Sequence, residues 1–172
     1  MMLGRLLRFG AMTPVLLLAL LPVAASADAD MAVSIGSYAT RASLAILVPI
    51  SVTCPAPSSD PSLSQSLFGT LNVIQANGNS NVAVGVATLG FGGKGAFGSP
   101  RPGVDLICDG ISHAYQAPVV PDLQTDPFTA AFTGGRATAT LSLTLSTFEC
   151  PPCFSPTTTT VTTGPVEIHI KG

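Results

Sequence analysis

The chain has no tryptophan, two tyrosines, two histidines and few charges: seven Lys and Arg, nine Asp and Glu, 9% of 172 residues. Each scarcity excludes something. Two of the basic residues, Arg5 and Arg8, fall at the very start, leaving five against nine acidic residues beyond residue 27, a formal charge of −4. A chain so poor in Lys and Arg builds no basic stripe for nucleic acid or anionic lipid. The missing tryptophan and the short apolar segments remove the aromatic girdles and ten-residue lipid faces of an outer-membrane barrel. Two histidines leave little for hydrolysis or zinc. There is no His-Glu-x-x-His, no His-x₃-His, no Gly-x-Ser-x-Gly and no clustered carboxylate pair.

No apolar run approaches the roughly 20 residues of a membrane span, yet the N-terminus is strongly apolar. Arg5 and Arg8 precede the run Val15 to Leu21, which ends in Pro22-Val23-Ala24-Ala25-Ser26-Ala27. Positive start, short apolar centre and small residues at Ala25 and Ala27 describe a Sec-type signal peptide over residues 1–27, with Asp28 as the first mature residue. The arginines are not adjacent and no cysteine sits at the cleavage point, so neither twin-arginine export nor lipoprotein processing fits. The expected product is secreted, extracellular, and has no membrane span once the leader is removed. Residues 28–172, 145 in number, make one domain able to bury roughly two-thirds of its unfolded surface.

Within that domain the apolar residues recur with period two. Leu44, Ile46, Val48, Ile50, Val52 and Cys54 share one parity, the mark of a half-buried strand with Cys54 facing the core. Val33 and Ile35 suggest a short strand before it. Leu67, Leu71 and Val73 alternate up to Asn77-Gly78-Asn79-Ser80, and Val82, Val84 and Val86 alternate after it, a hairpin whose loop exceeds two residues. Residues 90–103 read as a Gly/Pro loop. Val104, Leu106 and Cys108 reach Asp109-Gly110, and Ile111, His113, Tyr115 and Ala117 continue beyond. Ala137, Ala139, Leu141, Leu143 and Leu145 alternate with Ser and Thr; the parity then breaks at Phe148, predicting a bulge or a strand end. Val166, Ile168 and Ile170 form a last strand with Glu167, His169 and Lys171 outside. Seven or eight one-faced strands without helical periodicity predict an all-β, antiparallel β-sandwich, immunoglobulin-like and disulfide-stabilised.

Four cysteines in an exported domain predict disulfides. Of three pairings, Cys54–Cys108 with Cys150–Cys153 is preferred, because Cys54 and Cys108 both close core-facing runs. Cys150-Pro151-Pro152-Cys153 also reads as a redox Cys-x-x-Cys, but no helix follows to stabilise a thiolate. Gly90-Phe91-Gly92-Gly93-Lys94-Gly95 matches the dinucleotide pattern by letter; Pro100 follows where a phosphate-binding helix would run, so it reads as loop. Asn77 to Asn81 lacks the carboxylates that calcium takes. Residues 155–163, rich in Thr, read as a flexible or O-glycosylated tract. No cofactor, metal or catalytic residue is assigned; His113, near Asp105, Asp109 and Tyr115, is the one acid/base worth naming.

Val52-Thr53-Cys54, Cys108-Asp109-Gly110 with His113, Pro127-Phe128, Gly135-Arg136-Ala137-Thr138-Ala139, the closing cysteine pair and the last apolar strand resemble a group of secreted Ig-like β-sandwich proteins of actinobacteria without assigned activity. The resemblance spans nearly the whole mature chain and implies fold and export, with no functional residues to carry over. The expected function is a non-enzymatic module for binding, adhesion or surface structure, with an extracellular protein or glycan as partner. The alternatives are a small secreted enzyme or enzyme inhibitor using residues near His113, and thiol–disulfide exchange at Cys150 and Cys153. The leader makes one direct prediction: N-terminal sequencing of the protein recovered from culture medium begins at Asp28.

Overall fold

A computed structural model describes residues 30–78, 81–90, 103–149 and 156–172. The strands are β1 (Ala32–Ile35), β2 (Tyr38–Ala42), β3 (Ala45–Thr53), β4 (Leu63–Asn77), β5 (Asn81–Gly90), β6 (Gly103–Asp105), β7 (Ser112–Pro121), β8 (Gly135–Glu149) and β9 (Thr157–Lys171). Hydrogen bonding runs β3-β2-β9-β8-β4-β5-β7 and returns from β7 to β3. The sheet therefore closes into a seven-stranded barrel, with β1 and β6 as additional strands.

This corrects the expected Ig-like sandwich. Alternation reports which face of a strand is buried; it does not report whether the outer strands of a sheet meet. Here they meet twice. On one side β2 pairs in parallel with β9, Tyr38 to Thr40 beside His169 to Lys171, and His169 N donates to Ser37 O at 2.8 Å. On the other, Gly85 and Val86 of β5 pair with Pro121 and Val120 of β7. Each seam is shared by a short strand: β1 pairs with the C-terminal half of β3, and β6 pairs in parallel with the end of β5.

The interior is filled by one parity of each strand. Ile46, Val48, Ile50 and Val52 of β3, Leu67, Leu71 and Val73 of β4, Leu141 and Leu143 of β8 and Ile168 and Ile170 of β9 are buried. Each such branched side chain contributes roughly 1.5–3 kcal/mol by leaving water. Small residues let the strands curve tightly: Ala39, Ala83, Ala87, Ala117, Ala137 and Ala139 all point inward and are buried. On β5 the inward set is Ala83, Gly85, Ala87 and Leu89, so Val82, Val84 and Val86 take the opposite parity, where Val82 is exposed and Val86 is buried. On β8 and β9 the outer positions are mostly Ser and Thr, the opposite of a lipid-facing strand, whose outer side carries the apolar band.

Two further expectations change. Residues 157–163 are not a loose tract but the first half of β9, in register with residues 141–147 of β8. The parity break after Leu145 does not end β8, which stays paired with β4 as far as Glu149 opposite Leu63. The irregularity lies instead between Ala139 and Leu141, opposite Gly164 and Pro165 of β9. There Gly164 has φ +110°, and a Cβ on it would lie 2.6 Å from Ala139 O. That contact requires glycine. The hairpin expected at Asn77 is present, with Asn77 opposite Asn81.

Gly85 shows how tightly one end is packed. A Cβ there would lie 2.6 Å from two ring atoms of the buried Phe132 and 2.7 Å from Val120 O. Overpacking of this kind costs about 1–3 kcal/mol, so Gly85→Ala is expected to lower the urea midpoint with little change in slope, measured by equilibrium unfolding.

Candidate functional site

The barrel has two ends, each crossed by a different segment. At the first, the chain beyond β6 passes over the mouth. Leu106 is buried and its N–H donates to Gly90 O at 2.9 Å. Cys108 is joined to Cys54 by a disulfide with Cα atoms 4.8 Å apart, and Gly110 N donates to Cys54 O at 3.0 Å. Closing this loop is worth roughly 4 kcal/mol in the chain-entropy account. β7 supplies two side chains of inward parity at the same mouth. Tyr115 Oη accepts the Ile107 N–H at 2.9 Å, and His113 Nε2 lies 2.9 and 3.0 Å from the two oxygens of Asp109.

A carboxylate only accepts, so Nε2 of His113 carries the proton in that pair. Asp109 also receives the Ile111 N–H at 2.9 Å. The bond from His113, with the Ile111 N–H second, holds the Asp109 carboxyl below its ordinary value of 3.8. The structure thus brings together His113 and Asp109 as the sequence suggested, and places Tyr115 beside them with ring centroids 6.4 Å apart. The Tyr115 oxygen is engaged with backbone, and the pair staples the 106–110 crossing to β7. Among the described residues no group of three or more His, Cys, Asp or Glu is placed to hold a metal ion.

A small cleft of about 110 Å³ opens beside the disulfide, between Pro55, Pro57, Leu63, Leu67 and Leu145. That is well below the roughly 300 Å³ at which small-molecule pockets begin. Its polar wall is already engaged, since Gln65 Oε1 accepts the Ser58 N–H at 2.8 Å. His169 lies on the outer face, 4.0 Å from Glu167, next to Tyr38, whose ring carries Lys171 Nζ at 4.1 Å. Cys150, Cys153, the glycine loop after Gly90 and part of the Asn77–Asn81 turn fall outside the described residues.

The opposite end is closed by residues 122–134, and sequence reasoning missed it. Gln75 is buried at an inward position of β4. Its amide grips one residue twice, Nε2 donating to Thr133 O at 3.0 Å and Oε1 accepting the Thr133 N–H at 2.9 Å. Phe132 inserts into the core. Thr129 Oγ1 accepts the Val84 N–H at 2.7 Å and donates to Val84 O at 3.1 Å, while Ala130 N donates to Val82 O at 3.1 Å. So anchored, the cap turns outward at Asp126, whose Oδ1 receives the Phe128 N–H at 3.1 Å and whose carbonyl receives the Thr129 N–H. Phe128 is 93% exposed and Leu123 63%; Leu44, in the β2–β3 turn at this end, is 75% exposed. The available signal was Gln75 itself, a polar residue at a core parity.

The Asp109 shift fixes a pH dependence. A carboxyl held below its ordinary value binds its proton less readily folded than unfolded, so its stabilisation is present above about pH 3.8 and is lost as pH falls through the lowered folded value. Asp109→Asn is expected to flatten the acid limb of stability against pH, measured by thermal unfolding. Part of the limb persists, because Asp60 is lowered too by the Ser62 hydroxyl and N–H.

Compared with family models, with curated proteins and with solved structures, the chain matches none of them.

Proposed function

We propose that this protein is an exported, non-enzymatic binding module, a disulfide-strapped barrel that meets an extracellular protein through the cap formed by residues 122–134. The observation that carries this reading is Phe128, an aromatic side chain left 93% exposed on a turn whose backbone is pinned by Asp126 and Thr129. An exposed aromatic on a braced turn can bury a large apolar area while little conformational freedom remains to be lost on binding. Leu123 and Leu44 extend the apolar surface at the same end, while Asp122 is buried beneath it, its Oδ1 accepting the Gln124 and Thr125 N–H groups at 3.3 Å. Apolar tips of this kind favour a protein partner over a glycan, which offers fewer apolar faces.

The second reading, an enzyme or inhibitor at His113, has one observation in its favour: the ordered contact with Asp109. The two readings separate by mutation. Phe128 truncation is expected to cost about 2 kcal/mol, roughly thirtyfold in Kd, measured on the partner captured by wild-type protein from its own culture medium. His113→Ala should leave that affinity within twofold. Loss with His113→Ala and retention with Phe128→Ala would transfer the function to the disulfide end.

A further inference from the structure

Strand β9 does not spend its whole length closing the barrel. Its last residues, His169 to Lys171, pair with β2; β1, next along that side, packs against β9 but is hydrogen-bonded to β3 instead. Among the described residues, positions 157–163 are hydrogen-bonded to β8 alone. Their other edge carries a row of backbone groups about 23 Å long at 3.3 Å per residue, ending at Pro165, which has no N–H. Exposed edges are commonly guarded by charges, prolines, bulges or shortness. These seven residues, Thr157-Thr158-Thr159-Thr160-Val161-Thr162-Thr163, have no charge, no proline and six β-branched threonines.

We infer that this edge pairs with the same edge of a second copy, antiparallel about Thr160. The segment is complementary to itself. A dyad at Thr160 sets Thr157 opposite Thr163, Thr158 opposite Thr162 and Thr159 opposite Val161, and no like charges meet. Thr–Thr and Thr–Val neighbours are favourable cross-strand pairs. The same hydroxyl face already bonds to itself within one chain, Thr144 Oγ1 to Thr160 Oγ1 at 2.9 Å and Thr162 Oγ1 to Ser142 Oγ at 3.2 Å, so the ladder extends across the dyad without new chemistry. Pairing runs one sheet across both copies, β4-β8-β9 of one meeting β9-β8-β4 of the other, and gives an isologous, closed dimer. A seven-residue strand contact is at the small end of interfaces, so the expected dimer is a weak one whose population depends on concentration.

Sedimentation equilibrium on protein purified from the medium, over micromolar concentrations, should show the mass rising twofold from monomer to dimer. Thr160→Lys and Thr160→Glu each place like charges face to face at the dyad and should each remain monomeric, while an equimolar mixture of the two should dimerise again. Circular dichroism and thermal unfolding of each variant confirm that the barrel is intact. A monomer at every concentration overturns the proposal. So does a dimer that survives Thr160→Lys, or a mixture that stays monomeric although both variants are folded.

Discussion

Closure is the constraint on which the rest of this molecule depends. A sheet with one apolar face has to cover it, and here the sheet covers itself by joining its own edges. The join is narrow, three residue pairs between β2 and β9 and two between β5 and β7. Were either seam open, Ile46, Leu71, Leu141 and Ile168 would line an exposed trough. Because both are shut, these side chains meet in a common interior, and small inward residues such as Gly85 and Ala87 become necessary to let the wall bend.

A closed wall still has two open mouths, and the chain treats them differently. At one it uses covalent chemistry and side-chain hydrogen bonds: the Cys54–Cys108 bond, then Tyr115 and the His113–Asp109 contact, hold a single short crossing. At the other it uses burial and amide hydrogen bonds: Phe132 fills the space and Gln75 satisfies both backbone groups of Thr133. A buried amide left without those partners would cost several kcal/mol, so Gln75 fixes where the cap begins to leave the barrel.

Much of this was legible in the sequence. The alternation from Ile46 to Cys54 located β3 and its inward face, and Leu67 to Val73 and Ala137 to Leu145 did the same for β4 and β8. The proximity of Asp109 and His113 was visible because they are four residues apart around a turn. What stayed hidden has a common cause. Periodicity is local, whereas closure depends on the meeting of strands far apart in the chain, such as β2 with β9. On β5 the valines drew attention to the wrong parity, since curvature rather than hydrophobicity chose Ala83, Gly85 and Ala87 for the inside. The threonines of β9 have strong β propensity, yet a run without apolar alternation gives no signal of which face is buried. The cap was hidden because its anchors, Gln75 and Thr129, each work through a pair of hydrogen bonds to one distant residue, which leaves no repeating pattern.

The way the cap is held has an evolutionary corollary. Gln75 reads only main-chain atoms of Thr133, Asn77 reaches Ala131 O, and Val82 O receives a main-chain donor from Ala130. Apart from Thr129, Phe132 and Thr133, whose hydroxyl donates to Asn77 Oδ1 at 2.9 Å, the tether ignores which side chains the loop carries. Residues 123–125, 127 and 128 can therefore change without disturbing the barrel beneath them, which makes this end of the molecule an interchangeable tip on a fixed handle.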